Sequence, residues 1–415
     1  MSASVTSLSH AQDSPFHRRV APFPAIVGFY LSSRLLSVPL SVRLFRAEPQ
    51  IGVLISLSLN FVLFALTAIG TLGPGRLSFA SFASIPSFRW SLVFLGFSGS
   101  SLLWSSTASM SAAVAFWCAM ACDVAIVTML LRSNPLELTS SALMKGYVWG
   151  SCTIAAIAWM IPSQSDLRLG DEDLLGPNQI GYACAFAFFL AQFLVRRHER
   201  AWTLSAAFLA ITLLRSLSKT TIIAFVVAQA WMLFRDRSTT RKAKIGIATA
   251  SAIVIALFWT LLSAYVDYYT HAGNQSETLT GRIGIWAYIL NEALLQPWLG
   301  HGFHSVWKVI PPFGPFEARH AHNEILQQFY AYGVVGVCIF IALYRSIFRE
   351  VRSARETSMR QLFVGLFLFV VVRGVADTEV FDLSLPLWSI VLIGALIRYG
   401  VLDGTAAVVS KNAPS

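Results

Sequence analysis

Apolar runs about as long as a bilayer is thick recur along nearly the whole chain, and no other feature limits the fold as much. Ile51 to Gly70 and Ile245 to Leu262 are continuously apolar. Inside lipid every backbone polar group must be satisfied within the protein, which leaves only helices and closed barrels. Barrel strands would alternate in short segments, and these runs do not. With 55% hydrophobic and only 13% charged residues over 415 positions, the chain reads as an all-α polytopic membrane protein. The runs predict about twelve transmembrane helices, over 24–41, 51–70, 89–106, 111–131, 141–161, 179–195, 202–217, 219–235, 245–266, 325–345, 360–377 and 384–402.

A formal net charge of +10 invites a nucleic-acid partner, but the basic residues are scattered over loops rather than gathered on one soluble face. The positive-inside rule accounts for them instead. With a cytoplasmic N-terminus, the inner side receives Arg18-Arg19, Arg132, Arg196 to Arg200, Arg235 to Lys244, Arg345 to Arg360 and Arg398. The outer side then receives the acidic loop Asp166 to Asp173, the corner Arg215 to Lys219, a long island over 267–324, and Asp377 to Asp382. This divides the chain into a disordered cytoplasmic tail (1–20), N-terminal membrane helices (21–266), the outer loop (267–324), C-terminal membrane helices (325–402) and a cytoplasmic tail (403–415). Cys118, Cys122, Cys152, Cys184 and Cys338 all fall inside apolar runs, with no CxxC or Cys/His spacing, and read as small hydrophobes.

The island holds the chemistry. Leu279 to Leu295 carries Ile283, Trp286, Ile289, Leu290 and Ala293 at three- and four-residue spacings, which predicts an amphipathic helix at the interface. Pro297, Gly300 and Gly302 break it, as do Pro311 to Pro315 further on, so the loop is a shaped structure folded over a cavity. His320 to Glu324 stands at the mouth of the next membrane helix.

Arg282 follows Thr280-Gly281 at a helix start, where free N–H groups and the helix dipole favour an anion such as a phosphate, and Gly281 lets a ligand approach the backbone. The bland alternative is an arginine snorkelling to lipid headgroups. Arg215 and Lys219 sit against the positive-inside rule on the outer edge and call either for an anionic ligand or for headgroups. His322 is the proton-transfer candidate, with Asn323 or Glu324 to orient it; the alternative is a helix-capping histidine. His320, His322 and Glu324 make a metal triad conceivable, but no second cluster completes it, so no metal is expected. Asp377, Glu379, Asp382 and the Asp171 to Asp173 run read as solvated outer loops, with the alternative that a carboxylate there reaches the site, no one of them being singled out. The aromatic residues of the island, including Trp286, Trp298 and Trp307, read mainly as an interface belt, with one or two free to stack on sugar rings.

Leu279-Thr280-Gly281-Arg282, the spaced Trp286, the run Pro297 to Phe303, and Ala321-His322-Asn323-Glu324 followed by Gly333 and Gly336 together resemble the bacterial O-antigen ligase and O-antigen polymerase superfamily, including exopolysaccharide polymerases. The match is specific over about 219 to 340; Asn178 after Gly176-Pro177 is a weaker echo. The resemblance implies a GT-C-like multi-helix glycosyltransferase in the bacterial inner membrane, with both termini cytoplasmic. It would transfer an undecaprenyl-diphosphate-linked glycan to an acceptor hydroxyl at the periplasmic face, without cofactor, metal or nucleotide sugar. It implies that Arg282 and His322 are catalytic and that Lys219 takes the basic place of a Ser-Arg turn, a point charge replacing a planar fork. Arg215 nearby is a substitute for that role, and His320, Gly281, Asn323 and Glu324 are taken as substrate contacts.

Polymerisation of repeat units is the expected outcome, with transfer to lipid A-core as the alternative acceptor and a flippase and chain-length regulator as further partners to consider. A transporter of the same lipid-linked glycan is the competing class. It should carry internal repeats and charges inside several helices, whereas the polar residues here gather on one face.

Overall fold

The computed structural model describes residues 22–411, except 74, 162–167, 172–173, 198, 237–239, 258, 260–262, 264–266, 268–278, 308–318 and 380. The N-terminal tail, the Pro311 to Pro315 break and Glu172-Asp173 thus lie outside the described residues, as does much of the 267–324 island. Among the described residues the chain is helical, with a single isolated bridge between Asp171 and Leu175 in place of any strand.

The helices in chain order are α1 (Pro22–Ser33), α2 (Ser37–Phe45), α3 (Pro49–Gly70), α4 (Phe79–Ala83), α5 (Pro86–Ser100), α6 (Met110–Ser133), α7 (Leu136–Met160) and α8 (Pro177–Arg196). Then follow α9 (Trp202–Ser216), α10 (Lys219–Arg235), α11 (Arg241–Leu257), α12 (Leu279–Ala293), α13 (Glu324–Ser353), α14 (Thr357–Gly374) and α15 (Leu387–Lys411). Several boundaries follow from local chemistry. Pro49, Pro86 and Pro177 open α3, α5 and α8 in the first turn, where a missing N–H costs nothing. Leu217 adopts φ 60° and ends α9 abruptly, so that α10 starts two residues later.

Among the described residues, five segments are long and apolar enough to cross a bilayer by length and composition: Pro22–Phe45, Pro49–Gly70, Met110–Ser133, Pro177–Arg196 and Glu324–Ser353. The first is α1 and α2 joined by a 3-10 turn at Arg34–Leu36. The chain is therefore a polytopic helical membrane protein. The last helix runs on to Lys411, past the 402 limit expected, since no proline interrupts it before Pro414.

Tight helix pairs organise the bundle. Gly146 of α7 meets the carbonyl of Ala25 and Gly28 of α1 meets that of Leu143, each so closely that a Cβ would lie about 2 Å from the oxygen. Small residues of this kind let membrane helices pack backbone to backbone. Helix α8 is the most buried of the five apolar segments, with the ring of Phe189 against Phe369 of α14 (5.5 Å) and that of Phe186 against Trp388 of α15 (6.3 Å).

The largest departure from expectation is inside α13. Instead of one continuous span, the helix breaks at Gly333, which has φ 62° and ψ −164°. The break is filled by the loop after α12. Val334 and Val335 donate their freed N–H groups to the carbonyls of Pro297 (2.8 Å) and Trp298 (3.2 Å). His301 and Gly302 in turn donate to the freed carbonyls of Tyr330 (2.9 Å) and Ala331 (2.7 Å). Gly300 at φ 63° is wedged against the same break, where its Cβ would lie 2.5 Å from the Tyr332 nitrogen. The loop is shaped, as its glycines suggest, but it is spliced into a helix, with Leu294, Leu295, Trp298 and Leu299 exposed around it.

Candidate functional site

His322 lies in the turn that leads into α13 and adopts φ 49°, an uncommon conformation for a residue with a side chain. Asn323 fixes the turn: its carbonyl oxygen caps α13 by accepting from the Leu326 N–H (2.9 Å), and its amide donates to the Val375 carbonyl (2.9 Å). These bonds bring His322 against the segment that follows α14. Its Nδ1 faces the Asp377 carboxylate at 3.5 Å, the imidazole being only 9% exposed and the carboxylate 1%. The His320 ring is tilted against that of His322, with centroids 4.0 Å apart, and its Nε2 lies 4.0 Å from the same carboxylate.

Asp377 is held from behind. Arg373, one turn earlier on α14, donates to its second oxygen at 3.0 Å and reaches Glu379 at 3.0 Å with its other nitrogen. The guanidinium lies over the Tyr182 ring at 4.4 Å. Burial alone would raise the Asp377 carboxyl, but Arg373 and the two histidines outweigh it and hold the group well below the usual carboxylate range. Burial, helped by the neighbouring His322, pushes the His320 imidazolium well below its ordinary value. The pair is a fixed carboxylate facing a fixed imidazole, the arrangement that orients a general base.

Arg282, 9% exposed, reaches across from the first turn of α12. It donates to the Thr220 hydroxyl (2.9 Å) at the start of α10 and to the Ala376 carbonyl beside Asp377. Its Nε is buried with no hydrogen-bond partner among the described residues. Ser218, just before α10, donates to Asn178 (2.8 Å) in the first turn of α8, and Asn178 also faces Arg168 at 3.4 Å. The N-terminal ends of α8, α10, α12 and α13 are thereby tied to the segment that follows α14. Helix N-termini with arginine beside them form an anion-binding environment.

Of the residues singled out from sequence, Arg282, His320, His322 and Asn323 converge on this cluster; Gly281 lies in the first turn of α12. Lys219 is exposed in the first turn of α10, next to Thr220, while Arg215 is half-buried in the last turn of α9. Glu324 does not orient His322. It turns into the bundle and accepts from the Tyr344 hydroxyl (3.1 Å) and the Ser384 N–H (2.8 Å). The carboxylate that does face His322 is Asp377, so the expectation of a solvated outer loop fails there. Glu379 and Asp382 are half-buried, and burial pushes the Asp382 carboxyl up to about 7.

Two partners escaped the sequence analysis, Arg373 and Arg168, and Asp377 is not singled out there from the other outer acidic residues as the carboxylate that reaches the site. Arg373 was nevertheless visible, because a cation inside the 360–377 run has to be neutralised, and Asp377 stands four residues on. Arg168 is buried at 2% exposure within a loop that reads as acidic. Nor do the polar residues keep to one face. Arg34 pairs with Asp123 across the first span and α6 at 2.5 Å, and Asn60 of α3 donates to Asp123 at 2.6 Å. These are paired charges inside apolar segments, of the kind that such segments tolerate.

Ligand atoms of His320, His322 and Asp377 lie within 4.8 Å of one another. Asp377 Oδ1 faces both histidines while Arg373 holds Oδ2, and both Arg373 and Arg282 act on His320 as nearby positive charges, which disfavours a dication there.

Residues 204–341 match the family described as O-antigen ligase. The chain is 26% identical over 255 residues to an O-antigen ligase of Pseudomonas aeruginosa, covering 60% of this chain and 53% of that protein. It is 23% identical over 137 residues to a Rickettsia felis protein described as a candidate polysaccharide ligase, covering 28% of this chain and 32% of that one. The chain thus spans about a third to a half of the length of these curated relatives. The matched region contains α10, α12, Arg282, His322 and the spliced break at Gly333, and what it is similar to is the O-antigen ligase superfamily.

Proposed function

We propose that this protein transfers a glycan from an undecaprenyl-diphosphate carrier to the hydroxyl of an acceptor sugar at the periplasmic face of the bacterial inner membrane. The observation that carries the proposal is the buried Asp377–His322 pair beside Arg282 and the linked helix N-termini. A base and an anion site sit next to each other, which is what displacement of a diphosphate by a hydroxyl requires.

In the proposed step the acceptor oxygen attacks the anomeric carbon from the face opposite the diphosphate, and the configuration inverts. The new C–O bond forms as the bond to the diphosphate oxygen breaks, and the bonding electrons leave with the lipid diphosphate. Arg282 and Lys219, with the helix N-termini, offset that developing charge. The hydroxyl proton passes to the His322 nitrogen remote from Asp377, and Asp377 stabilises the imidazolium. The activated donor supplies the energy, so no nucleotide site and no metal are required. Cytoplasmic termini and an outward-facing site follow from the charge distribution of the loops.

The acceptor is the point at which readings diverge. The curated relatives are named as ligases, which favours a lipid A-core acceptor over polymerisation of repeats. The test is transfer by purified protein in detergent from lipid-diphosphate-linked repeat units, without metal or nucleotide, comparing wild type with His322→Ala. Ladders of longer lipid-linked glycan identify a polymerase; transfer only after lipid A-core is added identifies a ligase. The charges inside the helices, Arg34 with Asp123 and Arg373 with Asp377, are the specific observation for a lipid-linked glycan transporter. That reading takes over if glycan crosses proteoliposomes at an unchanged rate in His322→Ala while no transfer occurs.

A further inference from the structure

Beside the His322 cluster lies a small, partly open cleft between the α12–α13 loop, α5, α13 and the segment after α14. Gln327 joins the two: it lines the cleft while its side chain accepts from the Ala321 N–H (3.0 Å) and donates to the Glu379 carbonyl (2.6 Å). His304, Trp307, Gln328, Phe381 and Asp382 form the rest of the polar and aromatic lining used here.

His304 is built into this wall rather than left on a surface. It adopts φ 67°, and its ring stacks 4.7 Å from Phe381 at an interplanar angle of 9° and 5.6 Å from Phe116. Its Nδ1 pairs with the Thr107 hydroxyl at 2.8 Å. That leaves Nε2, which is buried without a hydrogen-bond partner among the described residues, in a side chain that is 6% exposed. The Gln328 carbonyl oxygen is buried and unpartnered in the same way, in a residue 4% exposed. An unmet polar atom in a buried position is costly, and two of them lining one cleft mark a place that a ligand completes.

The lining restricts what that ligand is. A lipid tail would leave both polar atoms unmet. A phosphate would meet no lysine or arginine among the lining residues and would face Asp382. The Gln328 oxygen needs a donor, whereas His304 Nε2 needs a donor or an acceptor according to the tautomer that Thr107 selects. A hydroxyl serves both, and the aromatic rings offer a surface for an apolar C–H face. We propose that this cleft is a sugar-ring subsite, in which His304 and Gln328 hydrogen-bond ring hydroxyls of a glycan next to the His322 cluster. The subsite rests on the glycosyl-transfer reading, and it serves either the acceptor sugar or the sugar of the lipid-linked donor. Burial pushes the His304 imidazolium down to about 4, so the ring meets its ligand neutral at ordinary pH.

The test separates these sources and separates the subsite from the reaction. Calorimetry measures binding of the repeat-unit oligosaccharide and, separately, of the lipid A-core oligosaccharide, each freed from its lipid by mild acid, to full-length protein in nanodiscs. The variants are His304→Phe, Gln328→Leu and His322→Ala. Each of the first two should weaken binding roughly tenfold, the worth of one hydrogen bond of about 1–1.5 kcal/mol, while His322→Ala binds as wild type but transfers nothing. In steady-state transfer, a raised KM for the acceptor assigns the subsite to the acceptor, and a raised KM for the donor assigns it to the donor. The subsite is overturned if wild type shows no saturable binding, or if both cleft variants bind and transfer as wild type does. Should His304→Phe misfold, Gln328→Leu carries the same decision. Full transfer by His322→Ala instead defeats the catalytic reading, whatever the cleft binds.

Discussion

Replacing Asp377 with asparagine keeps the size of the side chain and removes one charge. In the folded protein that charge lies 3.5 Å from His322 Nδ1. At an effective dielectric of about 20, a full unit charge at this distance acts on an imidazolium with roughly 5 kcal/mol. Arg373, 3.0 Å from the other carboxylate oxygen, cancels part of that field, and halving it leaves about 2–3 kcal/mol. If the imidazolium forms in the transition state and not before, this loss falls on kcat, giving roughly a 30- to 150-fold reduction. The donor KM should stay within about threefold, because Arg282 and the helix N-termini are untouched. The assay is steady-state transfer of lipid-linked glycan by Asp377→Asn that elutes from size exclusion as wild type does. A kcat within about threefold of wild type would refute the role of the carboxylate. So would an equal loss confined to KM, since that marks ground-state binding rather than proton transfer.

Other outcomes follow from the same geometry. Arg282→Lys cannot reach both the Thr220 hydroxyl and the Ala376 carbonyl as a guanidinium does, and should lose about 10- to 100-fold in kcat/KM for the donor, measured by donor titration. Gly333→Ala would place its Cβ 2.4 Å from the Trp298 carbonyl in a left-handed conformation; we expect about 2–4 kcal/mol of destabilisation, read as a lower melting temperature in detergent. Asp382, with its carboxyl at about 7, should tighten binding of a neutral oligosaccharide as pH rises through that value, because the carboxylate accepts stronger hydrogen bonds from hydroxyls; Asp382→Asn should flatten the calorimetric pH profile. Transfer should be unaffected by chelators, measured with and without EDTA, because the positive charges of Arg373 and Arg282 beside the histidines disfavour a dication.

The helical character of the chain was legible because it depends on local apolar runs: the 219–235 segment coincides with α10, and α6 and α8 extend their expected spans by only a few residues. Arg282 and His322 were legible because a cation or an imidazole at a membrane edge is costly unless used. Asp377 was not, since an aspartate after an apolar run reads as solvated until Arg373 and two histidines are seen to enclose it. The break at Gly333 was hidden for a related reason. Its neighbours are apolar on both sides, so periodicity runs through it, and only the docked loop 297–302 explains why the helix can open there.

That splice affects how the protein enters the membrane. Gly333 lies nine residues into α13, so the gap opens about 14 Å from the helix start. An isolated α13 released laterally into lipid would close this gap as an unbroken helix, because left open it would carry the unpaired amides of Val334 and Val335 and the carbonyls of Tyr330 and Ala331 into hydrocarbon, at several kcal/mol each. Insertion first and association later, the usual sequence for transmembrane helices, would therefore require this one to reopen as the loop docks. The segment from Pro297 to Gly302 precedes α13 in the chain and is made first. Biogenesis would then couple the two, with the earlier segment waiting at the membrane as a template on which the later helix completes its own hydrogen bonding.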